Sequence, residues 1–246
     1  IRVIGARQYG TVYTLQEVWR RLGLDEVFSD LAAKRSFAFD AEAAVRAIVF
    51  SRVVDPRSER ATVRWLGRVY APDFTGLKLQ HLYRCLDFMS EVQDEVQSQL
   101  FQRVTQRLVG ELRLVLFDTT SVYFEGEGPA GLARYGFSRD KRSDQPQVIL
   151  GLFTSQEGYP LFHSVFPGNT SDITSFRESM GQLKARLPVS RIVMVMDRGT
   201  VSDANLDNLR AGGVGYIAGT RLRHLATQEA LSVAGRYHVV EHNLHV

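Results

Sequence analysis

Leu112-Arg113-Leu114-Val115-Leu116-Phe117-Asp118 and Ile192-Val193-Met194-Val195-Met196-Asp197 are the two stretches on which the fold turns. Each is an apolar run of strand length that closes on an aspartate. Between them, Gln147–Phe153 and Leu161–Phe166 flank Thr154-Ser155-Gln156-Glu157-Gly158-Tyr159-Pro160, a hairpin signal with a slightly long turn. In Gly168-Asn169-Thr170-Ser171-Asp172, Thr170 or Ser171 can cap a helix that carries Ile173, Phe176, Met180, Leu183 and Leu187 and is closed by Pro188. The second run is followed by a helix near Ser202–Arg210, by Gly212-Gly213 and by a strand over Val214–Ala218. With a first strand over Leu112–Phe124, the predicted order is β-β-β-α-β-α-β. Continuous apolarity in strands one and four predicts burial on both faces.

This is the order of the ribonuclease H-like mixed sheet, in which the first and fourth strands are parallel neighbours. Asp118 and Asp197 would then face one cleft. Magnesium prefers carboxylate oxygens and keeps several of its waters. Two such ions about 3.5–4 Å apart can activate a nucleophile and stabilise a leaving oxygen on phosphorus. Aspartate is also an ordinary strand-end and turn residue. Either residue alone would be read that way; the strand order that joins them favours a metal site.

Residues 1–110 read as an all-α domain. Thr14-Leu15-Gln16-Glu17 has the capping-box pattern, Leu15, Val18, Trp19 and Leu22 share a helical face, and Gly23 is a stop. A second helix begins after Asp40, carries Ala44, Val45, Ile48 and Val49, and ends before Asp55-Pro56. A third spans Ser58–Val69, and a long one runs from Leu79 to Val109. The net charge of +3 lies wholly in this part: residues 1–110 hold 16 Lys+Arg against 13 Asp+Glu, and residues 111–246 hold 14 of each. One cysteine, Cys85, excludes an internal disulfide and a multi-thiolate zinc site, and its leucine-rich surroundings predict a buried apolar role. The chain lacks an apolar run of the ~20 residues that span a bilayer. It opens on Ile1 rather than Met and ends in what reads as an interrupted strand, as expected of a piece of a longer protein.

Several blocks carry a family resemblance. Leu116-Phe117-Asp118-Thr119-Thr120-Ser121-Val122-Tyr123-Phe124-Glu125-Gly126 resembles the first-aspartate motif of DDE-type transposases of bacterial insertion sequences. Tyr135-Gly136-Phe137-Ser138-Arg139-Asp140-Lys141-Arg142-Ser143-Asp144-Gln145-Pro146-Gln147 resembles their next block. Pro167-Gly168-Asn169-Thr170-Ser171-Asp172 and Met196-Asp197-Arg198-Gly199-Thr200-Val201-Ser202-Asp203-Ala204-Asn205-Leu206 resemble the two after it, and Asp55-Pro56-Arg57-Ser58-Glu59-Arg60-Ala61-Thr62 has a counterpart in the helical part. The resemblance runs from about residue 45 to residue 223. It implies metal-dependent cleavage at transposon ends followed by strand transfer, with Asp118 and Asp197 as catalytic, metal-holding residues and Mg2+ (or Mn2+) as cofactor. It also implies double-stranded DNA as partner, a homodimer on DNA, and work at the nucleoid in a bacterial cytoplasm. The branch resembled places a β-rich insertion between the second Asp and the catalytic Glu, so residues 223–246 would begin that insertion and the Glu would lie beyond Val246. Glu229 and Glu241 lack the helical context of that Glu. The chain as given is therefore expected to be inactive.

Arg139, Lys141 and Arg142 form a basic loop near the proposed cleft, and Arg198 adjoins the second aspartate; phosphate contact is the functional reading for each. Arg60, Arg64 and Arg68 recur at helical spacing, which suits either a solvated face or a DNA surface. His238, His242 and His245 have zinc-like spacing without a settled register, and Asn169 and Asp172 read as loop and helix-start residues. Two alternatives remain at this point. One is a catalytically dead DNA-binding remnant. The other is a haloacid-dehalogenase-like phosphatase, against which Thr120 occupies the place of its second aspartate.

Overall fold

Asp40 accepts a hydrogen bond from the Ala43 amide at 2.9 Å and caps the helix around which the first part of the chain is built. The computed structural model describes residues 6–106, 112–137, 141–186, 192–219, 239–241 and 244–245, and it divides the chain into units Ile1–Glu111 and Leu112–Val246. The first unit contains α1 (Gly10–Arg21), α2 (Leu24–Ala33), α3 (Ala41–Val54), α4 (Glu59–Leu66), a 3-10 turn at Pro72–Phe74, α5 (Leu79–Glu91) and α6 (Gln93–Val104). Helix α3 packs against α1, α2, α4 and α5. Its small residues Ala43, Ala44 and Ala47 are completely buried, which lets those neighbours approach closely. Cys85 is buried on α5, as its surroundings imply.

A polar network crosses this core. Trp19 Nε1 donates to Glu42 at 2.8 Å, and Arg46 reaches Glu42 and Asp73 at 3.1 Å each. Burial pushes the Glu42 carboxyl above its ordinary pKa despite the opposing pull of Arg46 and the Trp19 hydrogen bond.

Several helical boundaries differ from expectation. Helix α1 begins at Gly10, so Thr14 is internal and its hydroxyl donates back to the Gly10 carbonyl at 3.1 Å instead of capping. Val12 and Trp19 form its buried face, and Val18 points to solvent. Helix α2 has no counterpart in the sequence reading, although Leu24, Val27, Phe28 and Leu31 recur at helical spacing. Gly23, at φ 66°, both ends α1 and begins α2, a conformation that glycine adopts without a Cβ clash. The long helix expected over Leu79–Val109 breaks at Val92 (φ −101°, ψ 9°).

The second unit is a five-stranded sheet with β1 (Leu114–Tyr123), β2 (Gln147–Ser155), β3 (Pro160–Pro167), β4 (Val193–Met196) and β5 (Gly215–Ala218), plus α7 (Asp172–Arg186) and α8 (Asp203–Ala211). Its spatial order is β3-β2-β1-β4-β5; β1 pairs antiparallel with β2 and parallel with β4, and β4 pairs parallel with β5. This is the ribonuclease H-like arrangement, an α/β core following an all-α unit. Helix α7 lays Phe176, Met180 and Leu183 against β1, β2 and β3, where Phe117 meets Phe153 and Phe176 at ring distances of 4.7 and 5.2 Å.

The expectation that strands one and four are buried on both faces is corrected. Along β1, Val115, Phe117, Thr119 and Ser121 are buried while Leu116, Asp118, Thr120 and Val122 are exposed, so among the described residues helix packing covers one face. On β4, Val193 and Val195 are half-buried. Near the end of the chain β6 (Val239–Glu241) and β7 (Leu244–His245) form a two-stranded antiparallel sheet. Among the described residues no helix is long and apolar enough to cross a membrane.

Candidate metal centre

The parallel register of β1 and β4 pairs Leu114 with Val193 and Phe117 with Met196, so Asp118 and Asp197 occupy the next rung. Both are exposed, each after a buried residue that faces the core. Asp118 lies within β1 rather than at its end, because pairing with β2 continues to Tyr123. Asp197 does end β4. Its Oδ1 accepts from the Gly199 amide at 3.0 Å and the Thr200 amide at 3.3 Å, a local turn that competes with further strand pairing. Thr200 is buried and donates its hydroxyl to the Asp197 carbonyl at 2.9 Å. Asn205 is buried too, and its Nδ2 donates to the Thr200 carbonyl at 2.9 Å and the Ile173 carbonyl at 3.1 Å. The turn after Asp197 is thereby tied to the first residues of α7.

On the other strand, the Thr119 amide donates to Asp118 Oδ1 at 2.7 Å. The Thr119 side chain is buried on the α7 face, where its hydroxyl donates to Asp172 Oδ1 at 2.7 Å. In sequence Asp172 reads as a helix-start residue alone. It is the first residue of α7, but its carboxylate also turns inward to the sheet. Only its place in a chain block between the two aspartate motifs signals this.

Beside these residues lies a recess of about 420 Å³, lined among others by Thr119, Thr120, Asn169, Ser171, Asp172 and Gly199. The lining excludes the Asp118 and Asp197 carboxylates, so the recess adjoins the aspartate pair without containing it. Phe137 also borders it and is 88% exposed. Its backbone carbonyl is held by Gln147 Nε2 at 2.9 Å, and the same nitrogen donates to the Gly168 carbonyl at 2.9 Å.

The expected basic residues fare differently. Arg139 lies outside the described residues. Lys141 is exposed, at φ 58°. Arg142 forms a two-pronged ion pair with Asp144 at 2.9 and 3.1 Å and lies over the Tyr123 ring at 4.9 Å. Hydrogen bonding between Arg142 and Asp144 raises the guanidinium pKa and lowers that of the carboxyl. Arg198 is exposed next to Asp197. The three-arginine helical stripe is corrected to two: Arg60 and Arg64 stand on α4, but the helix ends at Leu66, and Arg68 lies beyond it in an ion pair with Asp55 at 3.2 Å. Glu229, His238 and His242 lie outside the described residues, while Glu241 is on β6 and His245 on β7.

Hard carboxylate oxygens on neighbouring strands suit a magnesium-type ion. Among the described residues no group of three or more His, Cys, Asp or Glu side chains is arranged to hold a metal, so the pair alone supplies fewer protein ligands than a two-ion centre uses.

A family model described as the transposase DDE domain matches residues 110–239. No curated protein matches the chain. Among solved structures, the Mos1 transposase paired-end complex with left transposon end is 13% identical, over 80% of this chain and 71% of that one, at a TM-score of 0.32. The Mos1 mariner paired-end complex with Mn is 13% identical, over 87% and 78%, at 0.32. The cryo-EM structure of the piggyBac transposase synaptic complex with hairpin DNA is 12% identical over 84% of this chain, at 0.47, and the match spans 49% of the piggyBac chain. The matched DDE domain takes in more than half of the sequence and every strand from β1 to β5, and this protein belongs to the DDE transposase domain family.

Proposed function

We propose that Asp118 and Asp197 are the first two catalytic carboxylates of a DNA transposase of the bacterial insertion-sequence branch, and that they hold Mg2+ or Mn2+. The observation that carries this is the shared rung: Asp118 on β1 and Asp197 directly after β4, distant in sequence, follow the last pair of the parallel register inside the matched DDE domain. The ion, when bound, supplies charge neutralisation at the scissile phosphate and acidifies the attacking hydroxyl. The protein's own contribution is placement. Local amides orient one oxygen of each aspartate, and the sheet fixes the spacing between the two strands.

The partner is double-stranded DNA at transposon ends and at the target. Lys141 and Arg198, exposed in the same unit as the pair, are suited to phosphate contacts that position the duplex without reading its sequence. Arg60 and Arg64 offer a second basic surface on the helical unit, whose surplus of positive charge favours DNA. The active species on DNA is a homodimer.

Calorimetric titration of Mg2+ and Mn2+ into the chain and its Asp118→Asn and Asp197→Asn variants tests the assignment. Binding that weakens in both variants is the expected result. Wild-type affinity in both would remove the metal reading.

A further inference from the structure

Asp172 bridges the surroundings of both aspartates. Its Oδ1 takes the Thr119 hydroxyl at 2.7 Å, and the amide of that same Thr119 donates to Asp118 Oδ1 at 2.7 Å. On its other side, a methyl group at Gly199 would lie 3.1 Å from Asp172 Oδ2 and 3.2 Å from Asp197 Oδ1. The two carboxylates thus both face the open side of Gly199, where a side chain would stand, and the amide of that residue is bonded to Asp197. We propose that Asp172 is a positioning residue for the metal centre: through Thr119 it fixes the β1 rung that carries Asp118, and through Gly199 it fixes the turn that orients Asp197. This rests on the assignment of Asp118 and Asp197 as metal ligands.

The surroundings support a brace rather than a third ligand. Thr119 is 2% exposed and sits on the α7 face of β1, whereas Asp118 alternates to the opposite face. Asp172 therefore reaches β1 on the face opposite to that of Asp118, and no group of three carboxylates among the described residues is arranged to hold a metal. A buried threonine hydroxyl needs an acceptor, and a carboxylate supplies a stronger one than a neutral group. Asp172 is itself held in place, because Ser171 Oγ accepts from the Thr174 amide at 3.2 Å and the Ser175 hydroxyl donates to the Asp172 carbonyl at 3.0 Å. At position 199, glycine is the residue that leaves room for both carboxylates to close on the turn. Outer-shell partners of this kind orient the residues that touch a metal, and their loss typically costs about 10–100-fold in metal affinity.

Mn2+ titration followed by electron paramagnetic resonance on the full chain provides the test, with thermal melting alongside to establish folding. Asp172→Ala and Thr119→Val should each weaken Mn2+ binding by about tenfold or more. Thr119→Ser restores the hydroxyl and should bind within a few-fold of wild type, as should Asp172→Asn, which keeps an oxygen to accept from Thr119. Loss in the first pair with recovery in the second supports the brace, because a general packing defect would not follow the hydroxyl. Asp118→Asn is the control. If Asp118→Asn abolishes binding while Asp172→Ala or Thr119→Val binds as wild type, the brace is wrong and the metal centre stands. If Asp118→Asn also leaves binding intact, the metal assignment fails and the brace falls with it.

Discussion

Replacing Gly168 by alanine should be among the most damaging single methyl additions in the second unit. The added carbon would lie 2.0 Å from the Gln147 carbonyl oxygen and 2.3 Å from that of Arg134, both backbone atoms that cannot rotate aside. Relief requires the segment at Gly168 to move off the start of β2. That displaces the reciprocal pair between Arg134 and Gln147 (3.1 and 2.9 Å), the Gly168 amide bond to the Leu132 carbonyl at 3.0 Å and the Gln147 side-chain bond to Gly168. At roughly 1 kcal/mol net for each hydrogen bond, a loss of about 3–4 kcal/mol follows, at or just above the usual range for overpacking. Urea unfolding followed by far-UV circular dichroism reads this as a lower midpoint for the second unit. Both tryptophans, Trp19 and Trp65, lie in the helical unit, so indole fluorescence monitors that unit separately. Gly181→Ala is the matched control, since a methyl there meets nothing within 4 Å on α7 and should stabilise by about 0.5–1 kcal/mol. A loss below about 1 kcal/mol at Gly168 would show that this close approach is not a structural constraint.

Three further outcomes concern the helical unit. Arg46→Ala should destabilise it by about 3–5 kcal/mol in urea unfolding, because Glu42 would be left buried without its cation; a loss under about 1 kcal/mol would refute that. Glu42 has a folded pKa above its unfolded value of 4.5, so its ionisation opposes folding at neutral pH, and the penalty fades as pH falls through the raised pKa towards 4.5; wild type should therefore gain stability relative to Glu42→Gln over that window, and a constant difference would refute the shift. Arg60→Ala with Arg64→Ala should reduce the log–log salt dependence of DNA binding by about 0.9 for each phosphate that these arginines neutralise, and an unchanged slope would take α4 out of the interface.

The core is legible where local chemistry and long-range pairing agree. The run ending at Asp118 and the run ending at Asp197 both form strands, and the hairpin and two helices fall in the expected order. Asp40 marks the start of α3 because its side chain can do little else before an alanine-rich turn. Sequence and structure part where one pattern serves two outcomes. Thr14 and Glu17 match a capping box, yet Gly10–Tyr13 already continue the helical face. Val92 carries no breaking residue, and only its backbone angles separate α5 from α6. Apolarity on β1 predicts two covered faces, but among the described residues helix packing covers one, and sequence alone does not count covering helices. Arg142 illustrates the limit for charge: its pairing with Asp144 depends on the turn around Ser143, not on the abundance of basic residues nearby.

The location of Asp172 follows from topology. Strand β3 lies at one edge of the sheet, while β4 lies beyond β1 on the other side of β2. The connection between them must therefore cross β2 and β1, and α7 makes that crossing with its packed face on all three antiparallel strands. A helix on this route starts near the β3 terminus at Pro167, which β2 pairs through Val148. Residues 168–171 return the chain over Thr119 before α7 begins, as the Thr119 hydrogen bond to Asp172 records. The first helical residue thus meets the strand that carries Asp118, and the far side of the same crossing delivers β4 in parallel register beside it. The shared rung of the two aspartates and the inward turn of Asp172 have one cause, the single crossover that changes this sheet from antiparallel to parallel at β1.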